Sequence, residues 1–248
     1  MATTFARAQD VPPFSPLLET EKPPFFKKMR NSVVVTFQVI SKKRVGVGSR
    51  ARAGEDENDI RYGSGFVFSS EGHILTWGDN IKGNKSSKIQ VQFFQQNEPI
   101  DASVVYSHPT KNVAILKPKD CLHRPVAYAE LADNEAEVGM EVYCIGHPLG
   151  LTYNMLIGQV GFPGARQYGE FVELDNNRIL RGKAGLDDKL ALIQLNNIHG
   201  SDAIEGAPVF DASGRVLGML AFCLTLFDFA IHHKELKAVI GEFKGNKG

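Results

Sequence analysis

Few groups in this chain could make or break a covalent bond. The most inviting pair lies in "IHGSD", Ile198–Asp202, where His199 stands two residues before Ser201. A hydroxyl beside an imidazole suggests nucleophilic catalysis, because the imidazole can take the hydroxyl proton. Catalytic partners meet in space rather than as i, i+2 neighbours, so this segment reads as a polar loop with a turn-capping serine. Cys144, in the apolar run "VYCIG", is a weaker candidate, since a thiol buried in a strand stays protonated. The histidines, His73, His108, His123, His147, His199, His232 and His233, show no His-x-x-x-His or Cys/His spacing. No metal site and no cofactor is therefore expected. His232–His233 opens a helical pattern and reads as a solvated helix start. One more segment has the layout of a built site: "DAIEGAPVFDASGRVLG", Asp202–Gly218. A turn of small residues leads to Pro-Val-Phe, a second turn "DASG" follows, and an apolar strand closes it. The residue at the centre of the first turn is Glu205.

The elements around these residues read as strands. "SVVVTFQVI" (Ser32–Ile40) is β-branched and apolar. "GSGFVFSSEGHILTW" (Gly63–Trp77) predicts two strands joined at Ser70-Glu71-Gly72. "KIQVQFF" alternates at period two. "ASVVYSH", "NVAILKP", "MEVYCIGHP", "MLIGQVGFP", "LALIQL", "RVLGMLAF" and "LFDFAIH" follow, separated by Gly, Pro, Asn and Asp clusters. Short strands at this spacing, punctuated by turn residues, predict an all-β sandwich or barrel pair. One helix is predicted, His232–Phe243, with Leu236, Val239, Ile240 and Phe243 on one stripe. Residues 1 to about 30 hold five of the twelve prolines and read as an irregular arm. The tail 244–248 reads as frayed.

Composition narrows the function classes. Lys+Arg and Asp+Glu both number 28, so the formal net charge is zero and no nucleic-acid partner is expected. The basic runs "FFKKMR" (Phe25–Arg30) and "SKKR" (Ser41–Arg44) read as solvated surface rather than phosphate sites. Three cysteines, Cys121, Cys144 and Cys223, show no paired spacing, which predicts a reducing intracellular compartment, cytoplasm or organelle. No apolar run reaches the roughly 18 residues of a membrane span.

Taken in order, these segments resemble the Deg/HtrA branch of the chymotrypsin-like (trypsin-like) serine proteases, from about Ser32 to Ile240. "SVVVTFQV" is similar to the opening strand of such domains. "GSGFVFSSEGHILT" resembles the strand pair that leads to the catalytic histidine. "HPTKNVAILKP" resembles the segment of the catalytic aspartate. "VGMEVYCIGHPLGLTYNMLIGQVG" resembles the Gly-x-Pro-x-Gly loop and its strand. "EGAPVFDASGRVLGMLAF" is similar to the nucleophile region, and "FDFAI" to the segment before the last helix. The resemblance implies an all-β fold of two perpendicular six-stranded antiparallel β-barrels, about 31–130 and 131–243, with a C-terminal helix and the active site between the barrels. A PDZ domain is not expected after Phe243.

The resemblance also implies where a triad would stand. Its histidine, aspartate and serine fall on Asp79, Asn112 and Glu205. Its oxyanion region falls on Ala203, Ile204 and Glu205, with Ala203 in place of a glycine. Those replacements remove the chemistry. A carboxylate is a poor nucleophile toward an amide, and an aspartate titrating near ~4 accepts no serine proton at neutral pH. Asn112 cannot stabilise an imidazolium, and Glu205 would set negative charge where negative charge must develop. If Asp79 and Glu205 face each other, they must share a proton, bind a cation or be held by Lys or Arg; solvated carboxylates in an open groove are the plainer expectation. The expected function is a protease homologue without proteolysis, which binds peptide or protein partners. By the family's habit it could form a homotrimer or a mixed oligomer with active relatives, through Phe14, Phe25 and Phe26 of the arm. The alternatives are an endopeptidase with another nucleophile and a purely structural subunit.

Overall fold

A computed structural model describes residues 15–41, 58–82, 87–119, 126–162, 164–174, 185–198, 203–224 and 227–246. His199, Ser201, Cys121, His123 and Phe14 lie outside the described residues. So does most of "SKKR".

Six strands close the first barrel: β1 (Val33–Ser41), β2 (Asn58–Val67), β3 (Ile74–Trp77), β4 (Ser87–Phe93), β5 (Ile100–Ser107) and β6 (Val113–Pro118). They follow the order β1-β2-β3-β6-β5-β4. The period-two side chains explain the closure. Val34, Val67, Ile74, Val91, Phe93, Ala102 and Leu116 point inward and form one buried cluster. Burying each large apolar side chain is worth about 1.5–3 kcal/mol.

The second barrel is built from β7 (Glu141–Gly146), β8 (Asn154–Val160), β9 (Arg166–Gln167), β10 (Ala191–Asn196), β11 (Pro208–Phe210), β12 (Val216–Leu224) and β13 (Phe227–His232). The order is β13-β12-β11-β7-β8-β10-β9, and an added β13–β10 pairing closes six of these strands, with β9 on the outside. Val142, Cys144, Val160, Ile193, Leu195, Val209, Leu220 and Ala230 fill it. A third cluster joins the barrels. Leu75, Trp77, Val113 and Ile115 of the first share it with Tyr143, Ile145 and Phe210 of the second. The expected pair of six-stranded barrels is what the chain adopts.

Among the described residues, three α-helices clasp the barrels. The first corrects the reading of residues 1–30 as an irregular arm: Lys22–Met29 is a helix, α1. Its prolines stand in the first turn, where a missing N–H is harmless. Its buried face is Phe25 and Met29, one turn apart. Phe25 meets Tyr143 at 5.0 Å and Phe210 at 6.2 Å between ring centres. α2 (Tyr168–Leu174) sets Tyr168 and Phe171 against Phe222 and Phe229. α3 (His233–Gly245) buries the expected stripe of Leu236, Val239 and Phe243, with Ile240 packed beside it.

The start of α3 corrects a second expectation. His232 and His233 are buried, not solvated. His232 caps the helix, its Nδ1 accepting the Lys234 N–H at 3.2 Å, while its Nε2 meets Glu135 at 2.8 Å. Burial pushes the His233 imidazole down to about 4.

Candidate functional site

The three positions that matter sit at strand ends, on loops from both barrels. Asp79 lies in a single 3-10 turn, Gly78–Ile81, directly after β3. Asn112 precedes β6 and is nearly buried, with φ at 52°. β3 and β6 are neighbours, with Trp77 opposite Val113, so their ends meet. The Gly78 N–H donates to the Asn112 carbonyl at 2.7 Å. A Cβ on Gly78 would fall 2.3 Å from the Asn112 Oδ1, so a side chain there would displace the Asn112 amide behind the turn. Glu205 stands in the turn ahead of β11. Ala207 donates to the Ile204 carbonyl at 3.0 Å, which closes that turn.

Ser64, buried on β2, ties the two sides together. Its N–H donates to the Glu205 carbonyl at 3.1 Å, and its hydroxyl donates to the Ala203 carbonyl at 3.1 Å. The same hydroxyl accepts from the His147 N–H at 3.1 Å, and its carbonyl accepts from the Thr76 hydroxyl at 2.7 Å. Gly206 adopts φ 91°, and a Cβ there would stand 2.1 Å from the Ser64 carbonyl oxygen. The turn can press against Ser64 only because residue 206 is glycine. Ala203 holds φ 75°, a left-handed conformation that an alanine adopts at a cost of about 1 kcal/mol.

A further contact crosses between the barrels. The Asn80 Nδ2 donates to the Glu205 carbonyl at 2.7 Å. Sequence reasoning missed Asn80, Ser64 and His147. Only the place of Asn80 beside Asp79 hinted at the first. The structure thus links the Asp79 turn to Asn112 through Gly78 and to the Glu205 turn through Asn80. Asp79 has a cationic partner, the Lys82 Nζ, at 2.6 Å. Among the described residues no group of three or more His, Cys, Asp or Glu is placed to hold a metal ion.

The described histidines are used elsewhere. His73 bonds the Ser69 hydroxyl at 3.0 Å and packs on Phe243. His108 faces Glu242, and His232 with His233 opens α3. His147 comes nearest, behind the Glu205 turn, but it is fully buried. Its Nδ1 accepts the Tyr153 N–H at 3.0 Å, so the neutral ring carries its proton on Nε2. Burial pushes its pKa down to about 4. The two described thiols are equally inert. Burial pushes Cys144 and Cys223 well above the usual thiol range, with Asp228 adding to both and Glu205 to Cys223.

Two barrels with a candidate groove built from loops of both define the trypsin-like peptidase class. The model of the trypsin-like peptidase domain matches residues 63–219, and the chain belongs to that family. It is 26% identical over 183 residues to the probable periplasmic serine endoprotease DegP-like of Brucella suis, covering 72% of this chain and 31% of that protein. It is 32% identical over 160 residues to Protease Do-like 1, chloroplastic, of Arabidopsis thaliana, covering 63% of this chain and 32% of that one. The chain thus spans about a third of the length of the curated relatives it matches. In three dimensions it is similar to the Rv3671c protease from M. tuberculosis in its active form. The TM-score is 0.67 at 18% identity, covering 98% of this chain and 94% of the other, a likeness of fold. No helix among the described residues is long and apolar enough to cross a membrane.

Proposed function

We propose that the chain is a proteolytically inactive Deg/HtrA-like homologue that binds peptide or protein partners at the groove between its barrels, alone or as a subunit of an oligomer. One observation carries this reading. The three loop ends that would hold histidine, aspartate and serine carry Asp79, Asn112 and Glu205, and Asp79 is engaged by Lys82. A triad needs a hydroxyl, a base and an orienting carboxylate in contact. Removing one member costs several orders of magnitude in rate. The raised thiols and the buried His147 supply no substitute among the described residues. The Glu205 turn is held against the first barrel by Ser64, Asn80 and Gly206. A maintained groove without a nucleophile is suited to recognition. A reducing intracellular setting, cytoplasm or organelle, is proposed from the unpaired spacing of the three cysteines in the sequence.

The test is labelling with a fluorophosphonate probe, read by intact-mass spectrometry. The expected result is an unmodified chain beside a fully labelled active relative. A stoichiometric adduct on any serine, Ser201 included, would overturn the reading.

A further inference from the structure

Arg30 follows α1 directly, and its surroundings are unusual for a cation. Its guanidinium carbon lies 3.9 Å from the centre of the Phe94 ring and 5.2 Å from that of Phe26. The head group therefore lies over two aromatic rings. Its Nε is buried without a hydrogen-bond partner. The side chain makes no ion pair with any described residue, although Lys22, Lys82, Lys111, Arg166, Arg215, Lys234 and Lys237 all do. Desolvating part of a cation without an anion is unfavourable. Stacking recovers a share of that, because a guanidinium is attracted to ring faces. What stacking leaves is a guanidinium packed on rings, with one buried donor unpaired and no described carboxylate opposite it. Lys27, three residues earlier and exposed in the last turn of α1, adds positive charge nearby in the chain.

The stack has a direction. Phe94 meets Tyr153 at 5.0 Å, and Tyr153 meets His147 at 4.7 Å. His147 in turn donates its N–H to Ser64, which holds the Glu205 turn. A row of rings thus joins Arg30 to the wall of the candidate groove.

We propose that Arg30 is an anchor for a carboxylate on a peptide or protein partner, an acidic side chain or a chain end. A planar fork takes a carboxylate through two parallel hydrogen bonds, and immobilising it beforehand lowers the entropy lost on binding. The half-buried Phe26 and Phe94 offer apolar contact to the residues beside that carboxylate. A phosphate would call on several converging donors, whereas here one fork is flanked by rings. The proposal rests on the reading of the chain as a binding protein and names the chemistry of its partner. It absorbs the "FFKKMR" run, which charge patterning alone assigns to solvated surface.

The test measures fluorescence anisotropy of a labelled oligoglutamate peptide against the full chain at low ionic strength. A labelled apolar peptide of equal length runs beside it. Arg30→Gln should weaken oligoglutamate binding by about tenfold or more, with Arg30→Lys intermediate because it keeps charge but loses the fork. Lys244→Gln, an exposed cation on α3, should change it by less than about twofold. Thermal melts of each variant check that the fold persists. Equal binding by Arg30→Gln, or an equal loss in Lys244→Gln, would overturn the anchor. Displacement of the peptide by inorganic phosphate at matched charge would overturn the assignment to a carboxylate. Binding of the apolar peptide without oligoglutamate would overturn the anchor while leaving the binding-protein reading in place. Failure of both peptides to bind would overturn both.

Discussion

Ser64 and Glu205 are one hydrogen bond apart, yet they stand in contrasting parts of the molecule. Around Ser64 the backbone and hydroxyl are fully used, the neighbours are buried, and Gly206 has room for no side chain. Around Asp79 and Glu205 the side chains are half-exposed, and their replacement would leave the strands below intact. The frame of the groove depends on close packing and paired polar groups, where any change is felt. The chemistry of the groove depends on the identity of a few loop-end side chains. Replacing those is expected to disturb the fold little. On the proposed reading, a chain can hold the peptidase frame while carboxylates and an amide stand at the loop ends that the resemblance assigns to a triad.

Substitutions graded from frame to rim test this contrast. The largest effect is expected for Gly206→Ala, which forces a Cβ against the Ser64 carbonyl in a left-handed turn. It should cost about 3 kcal/mol or more and show as a large fall in Tm. Acid comes next. His147 and His233 titrate near 6.5 when unfolded and are held to about 4 by burial. The unfolded chain therefore takes up protons first. Stability is intact above about 6.5 and falls as pH drops from there toward 4, on the order of 2 kcal/mol for each ring. Melts across that range check it, and a flat profile would mean that the rings are not buried.

Asn80→Ala should follow, at about 1 kcal/mol, by removing the amide that reaches across to the Glu205 carbonyl. Urea unfolding reads it, and a double variant with Glu205→Ala should leave the cost unchanged, because the acceptor is backbone. The smallest effect is expected for Asp79→Ala. It removes a rim ion pair with Lys82 and should shift stability by less than about 1 kcal/mol. If Asp79→Ala proved as damaging as Gly206→Ala, frame and rim would not be separable.

The frame was legible in the sequence because period-two apolar runs and turn residues are local signals. "VVVTFQVIS" and "FDFAIH" announce strands without help from elsewhere. The places of Asp79, Asn112 and Glu205 followed from the resemblance, and the structure brings their loops together. What escaped depends on distant partners. α1 carries two prolines and only two buried apolar residues, and its helical face makes sense only against Tyr143 and Phe210. The burial of His232 needs Glu135, 97 residues away. The Asn80–Glu205 contact spans 125 residues and leaves no mark on any local pattern.

The most direct measurement is casein degradation by the wild-type chain beside a variant carrying Asp79→His, Asn112→Asp and Glu205→Ser together. The wild type should be silent, and any cleavage by the variant would show that the groove is still in register for chemistry. A wild type that cleaves, and still cleaves after Glu205→Ala, would contradict the assignment of the groove to binding without proteolysis.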